Sequence, residues 1–200
     1  KEPEVRRTLL RRSAEVLHGD LGDIPEAIEA YRRLLDDFGP DREVLGALAR
    51  LYAQIGAHRE LEGALEKVLE LIDEPADRVT LLAQLGTLRI AYLQDLRGGL
   101  EAYREALQLD PSHATTRQSL EALLENVEAR AEAASMLRPL YEAEGAGEKL
   151  LVVLEIQSAT TEDSFERLAV LSTAVDVAEN TLGDPKRAFG FAARGPRAAA

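Results

Sequence analysis

The tetrapeptide Glu29-Ala30-Tyr31-Arg32 returns 72 residues later as Glu101-Ala102-Tyr103-Arg104. The match extends outward on both sides. At the same offset Pro3 meets Pro75, Arg6 meets Arg78, Thr8-Leu9-Leu10 meets Thr80-Leu81-Leu82, Leu21 meets Leu93, Asp23 meets Asp95 and Leu35 meets Leu107. Positions 3–38 thus hold 12 identities in 36, where so biased a composition gives about four by chance. A second offset, 89, pairs Leu48, Leu51, Tyr52, Gly56 and Ala57 with Leu137, Leu140, Tyr141, Gly145 and Ala146. It runs on through Arg78, Leu82, Leu93 and Asp95 to Arg167, Leu171, Leu182 and Asp184. The two offsets combine to 161, the distance from Leu21-Gly22-Asp23 to Leu182-Gly183-Asp184, and they differ by 17, the length of one helix with its turn. The unit of 72 is therefore read as two helical hairpins of about 36 residues each. One extra helix, Ser112 to Glu128, interrupts the series.

Composition and punctuation agree with hairpins. Leu, Ala, Glu, Arg and Lys make up more than half of the 200 residues, while Val, Ile and Thr, the usual material of sheets, are sparse. Gly22-Asp23, Gly39-Pro40, Gly56, Glu74-Pro75, Asp110-Pro111, Gly145 and Gly183-Asp184-Pro185 fall between periodic segments. Gly suits the residue that closes a helix, and Pro suits the first turn of the next. Between these breaks the apolar residues recur at i, i+3, i+4 and i+7, as in Leu45, Leu48, Leu51, Tyr52 and Leu61, Leu65, Val68, Leu69, Ile72. The pattern predicts eleven helices over 3–19, 25–38, 41–55, 58–73, 76–94, 97–109, 113–126, 128–144, 147–161, 164–181 and 185–194. The predicted organisation is three hairpins in 1–111, the single helix in 112–128 and two further hairpins in 129–197. Together they form one continuous solenoid, expected to be a fragment of a longer chain and to change superhelical direction at the single helix.

Several function classes fall away. The net charge of −12 repels phosphate backbones and anionic lipid, so neither nucleic acid nor membrane is an expected partner. There is no Cys, which excludes disulfides and thiolate chemistry. With no apolar run of membrane-spanning length and no leader after Lys1, the expected location is cytoplasmic. Arg194-Gly195-Pro196-Arg197 and the three Ala after it read as a frayed end.

The segment Ala49-x-x-Tyr52-x-x-x-Gly56 resembles the tetratricopeptide (TPR) repeat, as does Gly22-Asp23-x-x-x-Ala27-x-x-x-Tyr31 with Pro40 after it. Tyr103-x-x-Ala106-x-x-x-x-Pro111 is similar to the end of that motif. The resemblance covers nearly the whole chain. It implies an all-α solenoid of antiparallel hairpins, with Ala27 at a close helix crossing and Tyr31 and Tyr103 filling gaps between hairpins. The sequence departs from the family pattern in places. The usual small residue of the second helix is Leu61 in the second hairpin and Gly99 in the third, and Ala192 stands where the last hairpin needs an aromatic. The first, third and last hairpins also carry one extra residue before the inter-helix turn.

No chemistry stands out. His18, His58 and His113 are far apart, and none has a partner at metal-ligand spacing. Asp20 to Asp23 and Asp36-Asp37 lack the alternation of an EF-hand loop. Gly145-Ala-Gly147 follows a helix, so it is a turn and not a dinucleotide fingerprint. The expectation is a non-enzymatic chain with no metal and no cofactor. What remains is a groove. In the TPR family the first helices line a concave face, and the resemblance places its positions on Thr8, Arg11, Glu15 and His18. In the second hairpin they fall on Glu43, Gly46, Arg50 and Ala53, and in the third on Thr80, Ala83, Thr87 and Ile90. Arg11 and Arg50 are expected to hold their charges in water. Lys and Asn, which clamp a carboxylate in the chaperone-tail type of groove, are absent from these positions. The resemblance therefore implies a protein-binding scaffold that presents the concave face to a peptide or protein. The alternative is a structural module that stacks end to end with neighbouring repeats or copies.

Overall fold

The computed structural model describes residues 2–195. Pro196 and Arg197, placed in the frayed end and in the last predicted hairpin, lie outside the described residues. Among the described residues the chain forms eleven α-helices and no strand. They are α1 (Glu2–Gly19), α2 (Ile24–Phe38), α3 (Arg42–Ile55), α4 (His58–Glu70), α5 (Pro75–Leu88), α6 (Leu96–Leu109), α7 (Ala114–Leu123), α8 (Arg130–Glu144), α9 (Gly147–Thr160), α10 (Ser164–Asp176) and α11 (Pro185–Ala192). Carboxylates start many of them. The side chains of Asp23, Asp41, Asp163 and Asp184 accept backbone N–H groups from the first turns of α2, α3, α10 and α11. Those N–H groups have no partner inside their own helix. Pro25, Pro75 and Pro185 occupy first turns, where a missing N–H costs nothing.

The chain divides into two compact units, Lys1–Leu109 and Asp110–Ala200. In the first, α1 to α6 pack in sequence order, each helix on the next. Ala27, Ile28, Tyr31 and Leu34 of α2 share a core with Val44, Leu48, Leu51 and Tyr52 of α3. Smaller clusters continue it through Leu45, Val68, Ile72 and Leu81, then Val79, Leu82 and Ala106. A single amphipathic hairpin cannot bury its own apolar face, so the core is made between neighbours. In the second unit α7 to α11 pack the same way, around Leu120, Leu137, Tyr141, Val153, Leu154, Leu171 and Ala174.

The hairpin turns fall into two kinds. At Gly56-Ala57 and Gly145-Ala146 a backbone N–H reaches five residues back, Ala57 to the carbonyl of Tyr52 at 2.9 Å and Ala146 to that of Tyr141 at 3.0 Å. At the three turns with an extra residue, the N–H of an Asp reaches six residues back. Asp23 bonds Leu17 at 2.8 Å, Asp95 bonds Arg89 at 3.0 Å and Asp184 bonds Ala178 at 2.8 Å. The residue before each Asp takes the left-handed conformation, with φ of 67° at Gly22, 58° at Gln94 and 63° at Gly183. In the third and last hairpins the added residue widens the end of the helix into π-helical turns, Arg89–Leu93 and Val177–Thr181. Such bulges absorb an insertion without shifting the packed face.

The third hairpin also explains its unusual Gly99. The N-terminal turns of α6 cross so close to the π turn that a Cβ on Gly99 would stand 2.3 Å from Ile90 and 2.9 Å from the carbonyl of Gly86. A Cβ on Gly86 in turn would stand 2.4 Å from the Tyr103 ring.

The helix expected within 112–128 is α7. Its fully buried residues, Thr116 and Leu120, stand 89 residues after Ala27 and Tyr31. Thus α7 packs on α8 with the register that α2, a second helix of a hairpin, uses on α3.

Candidate partner-binding groove

In the first unit α1 and α3 present their polar faces to a common groove of about 750 Å³. Arg11, Glu15 and His18 come from α1, spaced so that they share one helix face. Arg42, Glu43, Gly46 and Arg50 come from α3, and Gly46 leaves room between its neighbours. Tyr31, Val44, Ala47, Val68 and Ile72 complete the lining.

Of the residues the sequence singled out, the structure therefore brings together Arg11, Glu15, His18, Glu43, Gly46 and Arg50. It does not bring Thr8, Thr80 or Thr87 to this groove. Their hydroxyls turn back on their own helices, to the carbonyls of Glu4, Ala76 and Ala83 at 2.9, 3.0 and 3.0 Å. Thr87 also lies 3.0 Å from the Tyr103 hydroxyl. Ala53 is exposed outside the groove, Ala83 is buried in the core and Ile90 packs over Gly99. Tyr31 and Arg42 were not on the sequence-derived list. Arg42 was legible, since it continues the spacing of Gly46 and Arg50 backward by one turn. The resemblance assigns Tyr31 to packing alone, and it both packs and lines the groove.

The electrostatics are mostly internal. Arg11 bridges Glu43 on the neighbouring helix and lies 3.7 Å from Glu15. Its charge, expected in water, is partly exposed and also ion-paired. The contact exists because α1 and α3 both line the groove, which spacing within one helix does not reveal. Arg42 pairs with Asp77 of α5 at 2.6 Å, and Arg7 of α1 pairs with Asp41. Burial works against the Asp41 carboxylate, but the Val44 N–H and the Arg7 guanidinium outweigh it and hold the carboxyl below its ordinary range. Burial and the Glu15 charge push the Tyr31 phenol up, while Arg50 and Arg11 pull it down. Arg50 makes no side-chain hydrogen bond or ion pair with any described residue, and it is exposed. Among the described residues that line the groove, it is the guanidinium without an ion pair.

The second unit has a counterpart. Ala131 and Ser135 of α8, which stand 89 residues after Arg42 and Gly46, line a smaller cavity of about 330 Å³. Its other groups are mainly hydroxyls and amides, from Gln157, Thr160, Thr161 and Thr173, with Arg138 and Glu166. Arg138 is satisfied by Glu142 at 2.7 Å and Gln157 at 3.2 Å.

Elsewhere the histidines have packing roles. His58 stacks on Tyr92 with ring centroids 4.2 Å apart, and His113 Nδ1 lies 2.8 Å from the Thr116 hydroxyl. Among the described residues no group of three or more His, Cys, Asp or Glu could hold a metal ion, and no helix is long and apolar enough to cross a membrane.

Ala27 sits fully buried at the α1–α2 hairpin crossing and Tyr31 is buried in the core shared by α2 and α3, whereas Tyr103, expected to fill a gap between hairpins, packs within its own hairpin against Gly86 and Thr87 of α5. The chain folds as an all-α repeat of antiparallel helix hairpins, with TPR-like spacing of its buried positions. The crystal structure of MamA protein is similar over 96% of this chain and 91% of its own, with 18% identity and a TM-score of 0.44. A tetratricopeptide repeat protein from Parabacteroides merdae is similar over 97% of this chain and 84% of its own, with 14% identity and a TM-score of 0.46. No protein-family model matches the chain, and neither does any curated protein.

Proposed function

We propose that this TPR-like repeat is a non-enzymatic scaffold whose N-terminal unit presents the α1–α3 groove to a peptide or protein partner. The observation that carries the proposal is the state of its charges. Arg11, Glu43, Arg42 and Asp77 are tied to one another and fix the walls, while Arg50 stands in the opening without a partner. Walls held by internal pairs need little ordering when a ligand arrives, which favours binding by a preformed surface. The groove offers no arrangement of base and nucleophile that would make it a reaction site.

The test is a capture experiment from a lysate with mass spectrometry, run with the native chain and with Arg50→Glu. The reading expects a defined set of proteins held by the native chain and lost with the variant, at unchanged helicity and melting temperature. Equal capture by both chains would move the binding surface elsewhere.

A further inference from the structure

The repeat register allows each exposed apolar residue to be compared with its own counterparts along the chain, and two of them break the pattern. Leu9 on α1 is 66% exposed. The residues at its place in the later first-type helices are Val44, Leu81, Ala133 and Val170, and all four are buried. Phe189 on α11 is 75% exposed. Its counterparts in the second helices of the first, third and α8–α9 hairpins are Ile28, Leu100 and Leu151, all buried, while α4 and α7 hold the half-buried, ion-paired Glu62 and Arg117 there. Ile28 and Val44 lie in one core cluster, at the junction where α2 packs on α3. The first helix of the chain and the last therefore expose the two complementary halves of a junction that the protein builds internally.

A polar group repeats the pattern. Arg78 of α5 donates to the carbonyls of Leu69 and Ile72 at the end of α4, at 2.9 and 3.1 Å. Arg167 of α10 donates to the carbonyl of Thr161 at the end of α9, at 3.1 and 2.6 Å. In these two junctions the Arg closes the carbonyl end of the helix before it, where the partial charge is negative, whereas the same place on α3 is Asp41, which caps its own helix, and on α8 is Arg130, which makes no such bond. The residue at the same place on α1 is Arg6, whose side chain is 66% exposed and reaches only Asp37, at 2.7 Å. It stands ready for the carbonyl end of a preceding second-type helix, and α11 ends in such a group of carbonyls.

We infer that copies of this chain associate head to tail, with α11 of one copy packing on α1 of the next as α2 packs on α3. Phe189 of one copy then covers Leu9 of the other, and Arg6 closes the end of α11. The contact is heterologous, so association is open-ended unless it closes into a ring. It uses neither Arg50 nor the groove, and it stands whether or not the groove binds a partner.

The test is the mass of the 200-residue chain by light scattering or sedimentation. The inference expects the mass-average to at least double over about a hundredfold rise in concentration. Leu9→Glu and Phe189→Glu alter exposed side chains, so both variants should keep the native circular dichroism spectrum. Each alone should remain monomeric. Mixed together they should form a dimer and nothing larger, because the first keeps its α11 face and the second keeps its α1 face. A native chain that stays monomeric overturns the inference and assigns both faces to another occupant. Growth that survives either substitution, or a mixture that stays monomeric, overturns it equally.

Discussion

Tyr52 and Tyr141 stand 89 residues apart and occupy the same place in their hairpins, yet their hydroxyls are used in opposite senses. Arg32 Nε donates to the Tyr52 hydroxyl at 3.0 Å, and its guanidinium lies 5.8 Å from the ring. The Tyr141 hydroxyl instead donates to Glu121 at 2.6 Å, a carboxylate that also accepts Lys149 at 2.7 Å. Arg32 and Glu121 are themselves 89 residues apart. The repeat has kept its rings and inverted the charge beside them. The inner faces diverge in the same way, with Arg42, Gly46 and Arg50 in one unit and Ala131, Ser135 and Pro139 in the other. Close packing constrains the buried half of each position, whereas water satisfies either sign of charge on the other half.

The largest effects should come from the half that packing constrains. Tyr103 is buried, and truncation to Ala should cost about 3–5 kcal/mol. Gly86→Ala would ordinarily help a helix by about 1 kcal/mol. Here the new Cβ meets the Tyr103 ring, and overpacking should make the change a net loss of about 1–3 kcal/mol. In the Tyr103→Ala background the same change should become neutral or favourable. Denaturant melts of the four chains give the coupling directly, and additive losses would mean that the ring and the glycine are not in contact.

The two tyrosine edges should separate next. Tyr141→Phe removes a hydrogen bond to a charged acceptor and should cost about 1.5–3 kcal/mol. Tyr52→Phe should cost about 0.5–1.5 kcal/mol, because Arg32 keeps Glu29 at 3.0 Å. The difference should also depend on pH. Lys149 and then Tyr141 hold the Glu121 carboxyl below its ordinary value. A carboxyl depressed by folding stabilises fully above its unfolded pKa, and that contribution fades as pH falls through the lower folded value. The gap between native and Tyr141→Phe melting temperatures should therefore be widest near neutrality and narrow in acid. A constant gap would mean that Glu121 does not feel the hydroxyl.

The limits of the sequence reading follow the same division. Helices and turns were legible because Gly, Pro and Asp mark their ends and the apolar period marks their buried faces. The register of α7 was not, because Ala27, Tyr31 and Arg32 became Thr116, Leu120 and Glu121 there, and an identity count sees no match. Burial was kept at Thr116 and Leu120 where identity and size were not. The π turns showed only as a residue too many, since an insertion says nothing about which backbone bond absorbs it. Within the groove the α1 and α3 faces were readable by spacing, but the Arg11–Glu43 bridge joins helices that only the fold brings together.

A smaller effect lies at the turns. Gly22 and Gly183 take the left-handed conformation at no steric cost, and Gln94 takes it with a side chain, which costs about 1 kcal/mol. Gln94→Gly gives part of that gain back as added freedom of the unfolded chain, so the net stabilisation should be about 0.5 kcal/mol. A chemical melt of sufficient precision checks it. A loss would show that the Gln94 side chain contributes something that the other two turns lack.

The smallest stability change should fall on the residue with the most to do outward. Among the described residues Arg50 has no hydrogen-bond or ion-pair partner, and its guanidinium lies 3.9 Å from where a Cβ on Gly46 would stand. Arg50→Glu should therefore change stability by no more than about 0.5 kcal/mol. Arg11→Glu is the informative contrast, because it would gather three carboxylates with Glu15 and Glu43 and lose two ion pairs. It should cost more, on the order of 1 kcal/mol. Were both reversals equally harmless, the α1–α3 bridge would be a surface contact without consequence. Were Arg50→Glu the costlier of the two, Arg50 would be a structural residue, and the contrast between fixed walls and a free cation would fail.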